Sequence, residues 1–180
     1  MDDIGHRLQP YLENTSQAIA LGKSRMKILN NAVAAMFLSF IIGVLVDLVL
    51  RRMPFYEWIS GRYVFADEKT YERLGVAWFR KILLATPLRM FNTNIKIPKN
   101  RDLQLLKDIR KHIAAAEVSH WVGFAVMAVL TVFAWMFYGP KIGLSFVVLN
   151  VLGNLYPCLL QQYNKRRLYQ LIAVMERRRS

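Results

Sequence analysis

Two long apolar runs, residues 119–138 and 141–163, are separated only by Gly139 and Pro140. Each run is about 20 residues long, which as an α-helix is enough to cross a hydrocarbon core of about 30 Å. Because the connection is so short, the two helices must be antiparallel neighbours. The pattern therefore predicts a transmembrane hairpin whose tip is the Gly-Pro pair.

A third apolar run, residues 29–50, carries a single charge, Asp47, and predicts another membrane span after an N-terminal segment, residues 1–28. Hydrophobic residues make up 54% of the chain, yet its net charge is +13. A soluble nucleic-acid-binding protein would also be basic, but it would lack such apolar runs, so nucleic acid is not an expected partner. The predicted fold class is all-α: a small, single-domain integral membrane protein with about three transmembrane helices.

Lysine and arginine are concentrated on one side of the predicted spans. The segment 51–118 holds 14 of them and the tail 164–180 is basic, whereas the hairpin tip has only Lys141. Lysine and arginine accumulate in the cytoplasmic segments of membrane proteins. We therefore expect the middle segment and the C-terminus to lie in the cytoplasm.

The middle segment, residues 51–118, is expected to form helices at the membrane interface. Apolar residues recur at helical spacing over 71–83, with Asp67 as the N-cap. This amphipathic helix would either lie on the cytoplasmic membrane surface or pack on the protein's own spans. A polar link, residues 91–98, follows, and the apolar spacing over 103–113 predicts a helix that leads into the hairpin.

Polar residues occupy the same end of both hairpin helices. Glu117 and His120 are three residues apart and therefore share one helix face. On the return helix Asn150, Asn154 and Gln161 also share one face. Glu117 and His120 match residues 159–162 of the return helix in depth, roughly 30 Å from the tip, at the predicted cytoplasmic boundary. If the faces meet, a carboxylate, an imidazole and several carboxamides converge in a half-dry cleft, where a histidine can serve as a general base.

Each of these residues also has a structural interpretation. Glu117 and His120 could form a salt bridge at an interface, and Asn150 and Asn154 could simply bond between helices. Glu-x-x-His occurs in di-iron sites, but those need a second such motif, which the chain lacks, so no metal is expected. No cofactor is expected either, because the glycine-rich nucleotide-binding motifs are absent from the sequence.

Residues 116–121 read Ala-Glu-x-x-His-Trp, and residues 161–168 read Gln-x-Tyr-Asn-x-x-Arg-Leu. With Asn154 and the Gly-Pro turn between them, this order and spacing resemble the C-terminal half of the glycosyl-4,4'-diaponeurosporenoate acyltransferases. These are small bacterial membrane proteins of carotenoid glycoside synthesis. The resemblance implies transfer of a fatty acyl group from a cytosolic thioester, such as acyl-coenzyme A, to a sugar hydroxyl of a lipid or carotenoid glycoside.

For such a reaction we expect His120 to accept the proton of the sugar hydroxyl and Glu117 to orient the imidazole. A carboxamide of Asn154, Gln161 or Asn164 would donate to the developing oxyanion. Arg166 and Arg167 would hold the phosphates of the acyl donor. The residues expected to bind substrate share the cytoplasmic end of the hairpin: Trp121, Asn150, Gln161, Tyr163, Asn164, Arg166 and Arg167.

Two other classes of protein stay open. One is a noncatalytic membrane partner that assembles a lipid or carotenoid biosynthetic complex. The other is a different lipid-modifying membrane enzyme. In each case the expected location is the bacterial cytoplasmic membrane, and the expected partners are membrane lipids; an enzyme would also bind its donor and acceptor.

Overall fold

The computed structural model describes residues 3–87 and 102–178. Its described residues form helices and turns without a β-strand, so the predicted all-α class is confirmed. A single π-helical turn, Val151–Leu155, interrupts the second helix of the hairpin. The α-helices in chain order are α1 (Asp3–Leu50), α2 (Tyr56–Gly61), α3 (Glu68–Arg73), α4 (Val76–Ala85), α5 (Leu103–Tyr138), α6 (Pro140–Asn150) and α7 (Tyr156–Arg177). The predicted polar link, residues 91–98, lies outside the described residues.

Among the described residues, three helical stretches are long and apolar enough to cross a membrane: Asn14–Leu50, Leu103–Tyr138 and Pro140–Arg177. Each helix continues beyond its apolar run. The first begins at Asp3 rather than at residue 29, and α5 leads into the hairpin without a break, as predicted. The chain thus has the helical architecture of a small membrane protein.

Gly139 and Pro140 form the tip of the hairpin. Gly139 has a φ of 85°, a conformation that favours glycine because it has no Cβ. Its N–H donates to the carbonyl of Trp135 at 3.2 Å and closes the end of α5. Pro140 is the first residue of α6, where its missing N–H removes no helical hydrogen bond. The residues that interrupt the apolar sequence therefore also build the turn.

Close glycine contacts join α1 to α5. A Cβ added to Gly43 would collide with the backbone of Ser119. One added to Gly123 would lie 2.7 Å from Asn154 Oδ1 and 3.3 Å from the carbonyl oxygen of Ser39. Since the contact points run in opposite directions along the two helices, α1 and α5 are antiparallel. Small residues at such crossings allow the backbones of membrane helices to approach closely.

The amphipathic segment 71–83 is divided between α3 and α4, which differs from the single helix predicted. Gly75 ends the first helical stretch because its φ of 77° is left-handed. Asp67 caps α3 as predicted, accepting a 2.6 Å hydrogen bond from the Thr70 N–H. The interactions with the Thr70 hydroxyl and with this N–H lower the pKa of its carboxyl group. One face of α4 packs on α7, whereas Trp78 on the other face is 68% exposed. The segment thus packs on the protein's own span and still presents an aromatic outer face.

Gly43→Ala is expected to destabilise the protein by about 1–3 kcal/mol, because the new methyl group must push α1 away from the backbone of Ser119. Gly22→Ala is the matched control in the same helix, since a Cβ at Gly22 meets no atom within 4 Å. The measurement is thermal unfolding of the purified protein in detergent. Equal melting temperatures for the two variants would contradict the close crossing.

Candidate active site

Glu117 is a carboxylate enclosed at the base of the bundle, by which we mean the end opposite the hairpin tip. Only 2% of its surface is exposed. Its Oε1 accepts a 2.8 Å hydrogen bond from Gln162 Nε2, and its Oε2 forms a 2.6 Å ion pair with Lys165 Nζ. Both partners lie on α7, so the two hairpin helices meet here through charged and polar groups. A carboxylate is tolerated in such an enclosed place only when it is paired.

Lys165 directs its ammonium group toward several acceptors. Besides the Glu117 carboxylate, Nζ donates to the carbonyl oxygens of Ser60 at 2.6 Å and Arg62 at 3.0 Å. It also lies 4.7 Å from the ring centroid of Tyr63. The ammonium group thus has two hydrogen-bonded carbonyl groups and one paired carboxylate. This full set of partners offsets the desolvation of a side chain that is only 3% exposed.

The segment 60–66, which we call the strap, is held against the base by side chains of α7. Gln162 Oε1 accepts hydrogen bonds from the Val64 N–H at 3.0 Å and from the Tyr71 hydroxyl at 2.7 Å. Arg166 donates to two further carbonyl groups of the strap. Burial raises the pKa of Tyr71, so it remains a phenol that can donate. The α7 side chains that contact Glu117 therefore also position the strap.

His120 lies one helical turn closer to the hairpin tip, beside Asn154. Its ring centroid is 5.2 Å from that of Phe40 on α1. Asn154 is fully buried, and its Nδ2 donates to Asn150 Oδ1 at 3.0 Å and contacts Ser39 Oγ at 3.5 Å. Within the described residues, the buried polar atoms that form no regular hydrogen bond include His120 Nδ1, Asn154 Oδ1 and Glu117 Oε2. Glu117 Oε2 is held by its ion pair with Lys165, and the His120 and Asn154 side chains lie against each other. Since buried polar atoms normally have regular hydrogen bonds, the His120–Asn154 pair is a candidate for contact with a polar ligand.

The expected contact between Glu117 and the His120 ring is replaced by other contacts. Both oxygens of the carboxylate are bound by Gln162 and Lys165. The structure therefore contains two polar centres, a Glu117 centre at the base and a His120 centre with Asn154 closer to the tip.

The π-helical turn, Val151–Leu155, explains why Gln162 and not Gln161 contacts Glu117. A π turn contains one extra residue and often occurs at functional sites. It rotates the following part of the helix by about 100° relative to a regular α-helix. The regular face predicted through Asn154 and Gln161 is thus displaced by one residue.

The other predicted site residues surround these centres. Gln161 is buried and Asn164 half-buried on α7. Tyr163 belongs to the apolar cluster between α4 and α7, and the Arg167 guanidinium lies 5.7 Å from its ring centroid. Trp121 packs edge-on against a phenylalanine ring of its own helix. Their predicted roles in substrate binding stay predictions.

Sequence reasoning missed Lys165, Gln162 and Tyr71. A lysine just beyond a span is expected from membrane topology alone, which conceals a further role. The three-residue spacing between Gln162 and Lys165 was nevertheless a usable signal, because it places both on one helix face. Tyr71 offered no comparable signal, since it contacts Gln162 across 91 positions of the chain.

An open cleft of about 1130 Å³ adjoins the Glu117 centre. It lies between the start of the strap and α5, and Lys165 lines it from one side. The charged residues of its lining are Arg51, Glu57, Asp108, Arg110, Lys111 and Lys165. In the described part of the chain, no group of three or more His, Cys, Asp or Glu side chains is arranged to hold a metal ion.

These features define a helical membrane protein with a polar site at one end of a transmembrane hairpin. Residues 52–174 match the sequence profile of the glycosyl-4,4'-diaponeurosporenoate acyltransferases. Because the match covers more than half of the chain, the protein belongs to this family of acyltransferases of carotenoid glycoside synthesis. The resemblance found in the sequence is thus confirmed. No curated protein and no solved structure matches the chain.

Lys165→Met is expected to destabilise the protein by about 3–5 kcal/mol, because it leaves the Glu117 carboxylate enclosed without its counter-ion. Adding Glu117→Gln should recover much of this loss, since the double variant buries no unpaired charge. Chemical unfolding of the single and double variants in detergent provides the measurement.

Lys107→Met is the control for the loss of a lysine from an ion pair. Lys107 pairs with Glu176 at 2.7 Å, but both side chains are more than two-fifths exposed. Such exposed pairs contribute at most about 1 kcal/mol. A Lys165→Met variant no less stable than this control, or no recovery in the double variant, would refute the structural role of the buried pair.

Proposed function

We propose that this protein transfers a fatty acyl group from a cytosolic thioester to a sugar hydroxyl of a carotenoid or lipid glycoside. The reaction would take place at the cytoplasmic face of a bacterial inner membrane. Membership of the acyltransferase family supports the transfer of an acyl group. The observation that carries the proposal is the buried His120–Asn154 pair, whose Nδ1 and Oδ1 atoms form no regular hydrogen bond although the two side chains lie against each other.

His120 is the proposed general base. The sugar oxygen attacks the carbonyl carbon of the thioester while His120 Nδ1 accepts the hydroxyl proton. Collapse of the tetrahedral intermediate breaks the carbon–sulfur bond, and the imidazolium returns the proton to the leaving sulfur. The products are the sugar ester and the free thiol.

Asn154 is the proposed anchor for the acceptor sugar. Its Oδ1 lies beside His120 without a regular hydrogen bond and can accept one, whereas its Nδ2 is directed toward Asn150 and Ser39. A sugar carries adjacent hydroxyl groups, so one can donate to the imidazole while another donates to the carboxamide. With the Asn154 donor already used, Gln161 is the nearer of the two remaining expected donors to the oxyanion, because Asn164 lies ten residues, about 15 Å, along the helix from Asn154.

The position of His120 suits an acceptor that is dissolved in the membrane. Its neighbour Phe40 lies on a candidate span and is 40% exposed, so the site is close to the outer, apolar surface of the bundle. An acceptor could therefore insert its sugar from the bilayer while its apolar part stays in lipid. Glu117, with both oxygens bound, would position α7 and the strap rather than transfer protons.

His120→Ala should lower the rate of acyl transfer by about 10²–10⁴, because it removes the general base. Asn154→Ala should mainly raise the KM for the glycoside. The full-length variants would be assayed in membranes with an acyl thioester and a glycosylated carotenoid, and the ester would be quantified by mass spectrometry.

Thr131→Ala is the control in the same helix, because the Thr131 hydroxyl bonds only within α5, to the carbonyl of Met127. Its activity should equal that of the unmodified protein. Unimpaired transfer by His120→Ala would contradict the mechanism. Absence of turnover by the unmodified protein, with both acyl-coenzyme A and an acyl carrier protein as donors, would favour the noncatalytic alternative.

A further inference from the structure

We propose that the cleft beside the Glu117 centre binds the phosphorylated nucleotide of a coenzyme A thioester. This assignment rests on the proposed function, and it specifies the chemical class of the donor. The cleft is open, and its volume of about 1130 Å³ exceeds that of a typical drug-sized pocket. It therefore has room for a donor that is larger than a simple metabolite.

Two cations of the cleft are available to an anionic ligand. Arg51 is bound to the buried Asp47, and Lys165 is bound to Glu117. The remaining two, Arg110 and Lys111, lie on α5. Both are exposed and line the cleft, so they can form charge-assisted hydrogen bonds to phosphate oxygens.

The side-chain contacts of Arg110 and Lys111 are weak enough to yield to a phosphate. Arg110 lies over the ring of Tyr169 at 5.9 Å, and in the described residues it has no carboxylate partner. Lys111 is 77% exposed, and its Nζ is 3.5 Å from Asp108. Glu57 is the other carboxylate of the lining, and it opposes anion binding together with Asp108.

Aromatic side chains in the same cleft suit the base of a nucleotide. Tyr56, Tyr63 and Tyr169 are all part of the lining. Adenine stacks on aromatic rings irrespective of its hydrogen-bonding edge. Arg110 lies over Tyr169, and Lys165 and Arg166 lie over Tyr63, so a purine would stack on the ring faces that these cations leave open.

The strap makes this cleft possible. Ser60, Gly61 and Tyr63 of the strap line it, and the α7 side chains fix the strap through its backbone groups. The network of Glu117 and Lys165 would therefore act on the reaction indirectly, by holding one wall of the donor site in place.

The distance along α5 agrees with a donor that extends from the cleft to His120. Nine residues separate Lys111 from His120, which corresponds to about 14 Å of helix. The flexible pantetheine arm of coenzyme A can bridge such a distance. Nine residues also correspond to about two and a half helical turns, so the arm would have to pass around α5 from the face of Lys111 to reach the imidazole.

The arginine pair next to Lys165, by contrast, is already engaged. Arg166 donates to the carbonyl groups of Phe65 and Ala66. Arg167 lies over the ring of Tyr163. For this reason we place the donor phosphates in the cleft rather than on Arg166 and Arg167.

The test is to measure the Kd of coenzyme A by titration calorimetry, with the protein in nanodiscs of zwitterionic phosphatidylcholine, which has no net charge. Arg110→Ala and Lys111→Ala should each raise the Kd roughly tenfold, since each removes a charge-assisted hydrogen bond. Asp108→Asn should lower the Kd several-fold, because it removes a repelling charge without changing the shape of the side chain. An improvement of this kind cannot result from misfolding.

Arg73→Ala is the control, because this exposed arginine lies on α3 outside the cleft. It should leave the Kd unchanged, and pantetheine without phosphate should bind all variants equally weakly. An unchanged Kd for coenzyme A in the Arg110→Ala/Lys111→Ala double variant would overturn the proposal. So would binding of a phosphopantetheinyl carrier protein to the unmodified chain without binding of coenzyme A.

Failure of this inference is distinguishable from failure of the proposed function. The binding experiment contains no acceptor and requires no turnover. Acyl transfer from acyl-coenzyme A with an unchanged KM in the double variant would refute the cleft and leave the function standing. The expected changes in Kd without any ester product would support the cleft and refute the function.

Discussion

The buried ion pair between Glu117 and Lys165 is the interaction on which the base of the bundle depends. An enclosed carboxylate and an enclosed ammonium are tolerated only if each also has the remaining hydrogen bonds that it requires. Here Gln162 completes the carboxylate, and carbonyl groups of the strap complete the ammonium. One pair therefore fixes α5, α7 and the strap relative to one another, and the wall of the adjoining cleft depends on it.

The Glu117 centre and the His120 centre differ in how completely the protein binds their buried polar groups. The Glu117 centre is satisfied by protein groups, so it needs no ligand. In the His120 centre, Nδ1 of the imidazole and Oδ1 of Asn154 form no regular hydrogen bond, although both atoms are buried and the two side chains lie against each other. Polar groups in an apolar bundle are retained when they bind each other or bind something else. The first centre thus stabilises the fold, and the second is the better candidate for catalysis.

Patterns that act over short distances along the chain were predictable. The spans, the Gly-Pro tip and the Asp67 cap follow from apolar run length, backbone conformation and a contact three residues away. The single helix predicted over 71–83 was wrong, because Gly75 adopts a left-handed conformation that the apolar spacing does not reveal. The π turn displaced the predicted face of the return helix for a similar reason. The spacing of residues along the chain does not show which helical turn will hold one extra residue.

The sequence by itself determined that this is a helical membrane protein with a hairpin, a basic side and an acyltransferase family pattern. Only the tertiary structure decided that Lys165 enters the base of the bundle instead of remaining a surface charge, and that Tyr71 and the strap close over it. The reason is physical. Whether a charged side chain is buried depends on acceptors supplied by distant segments, and Lys165 finds two of its three on the strap, more than 100 positions away.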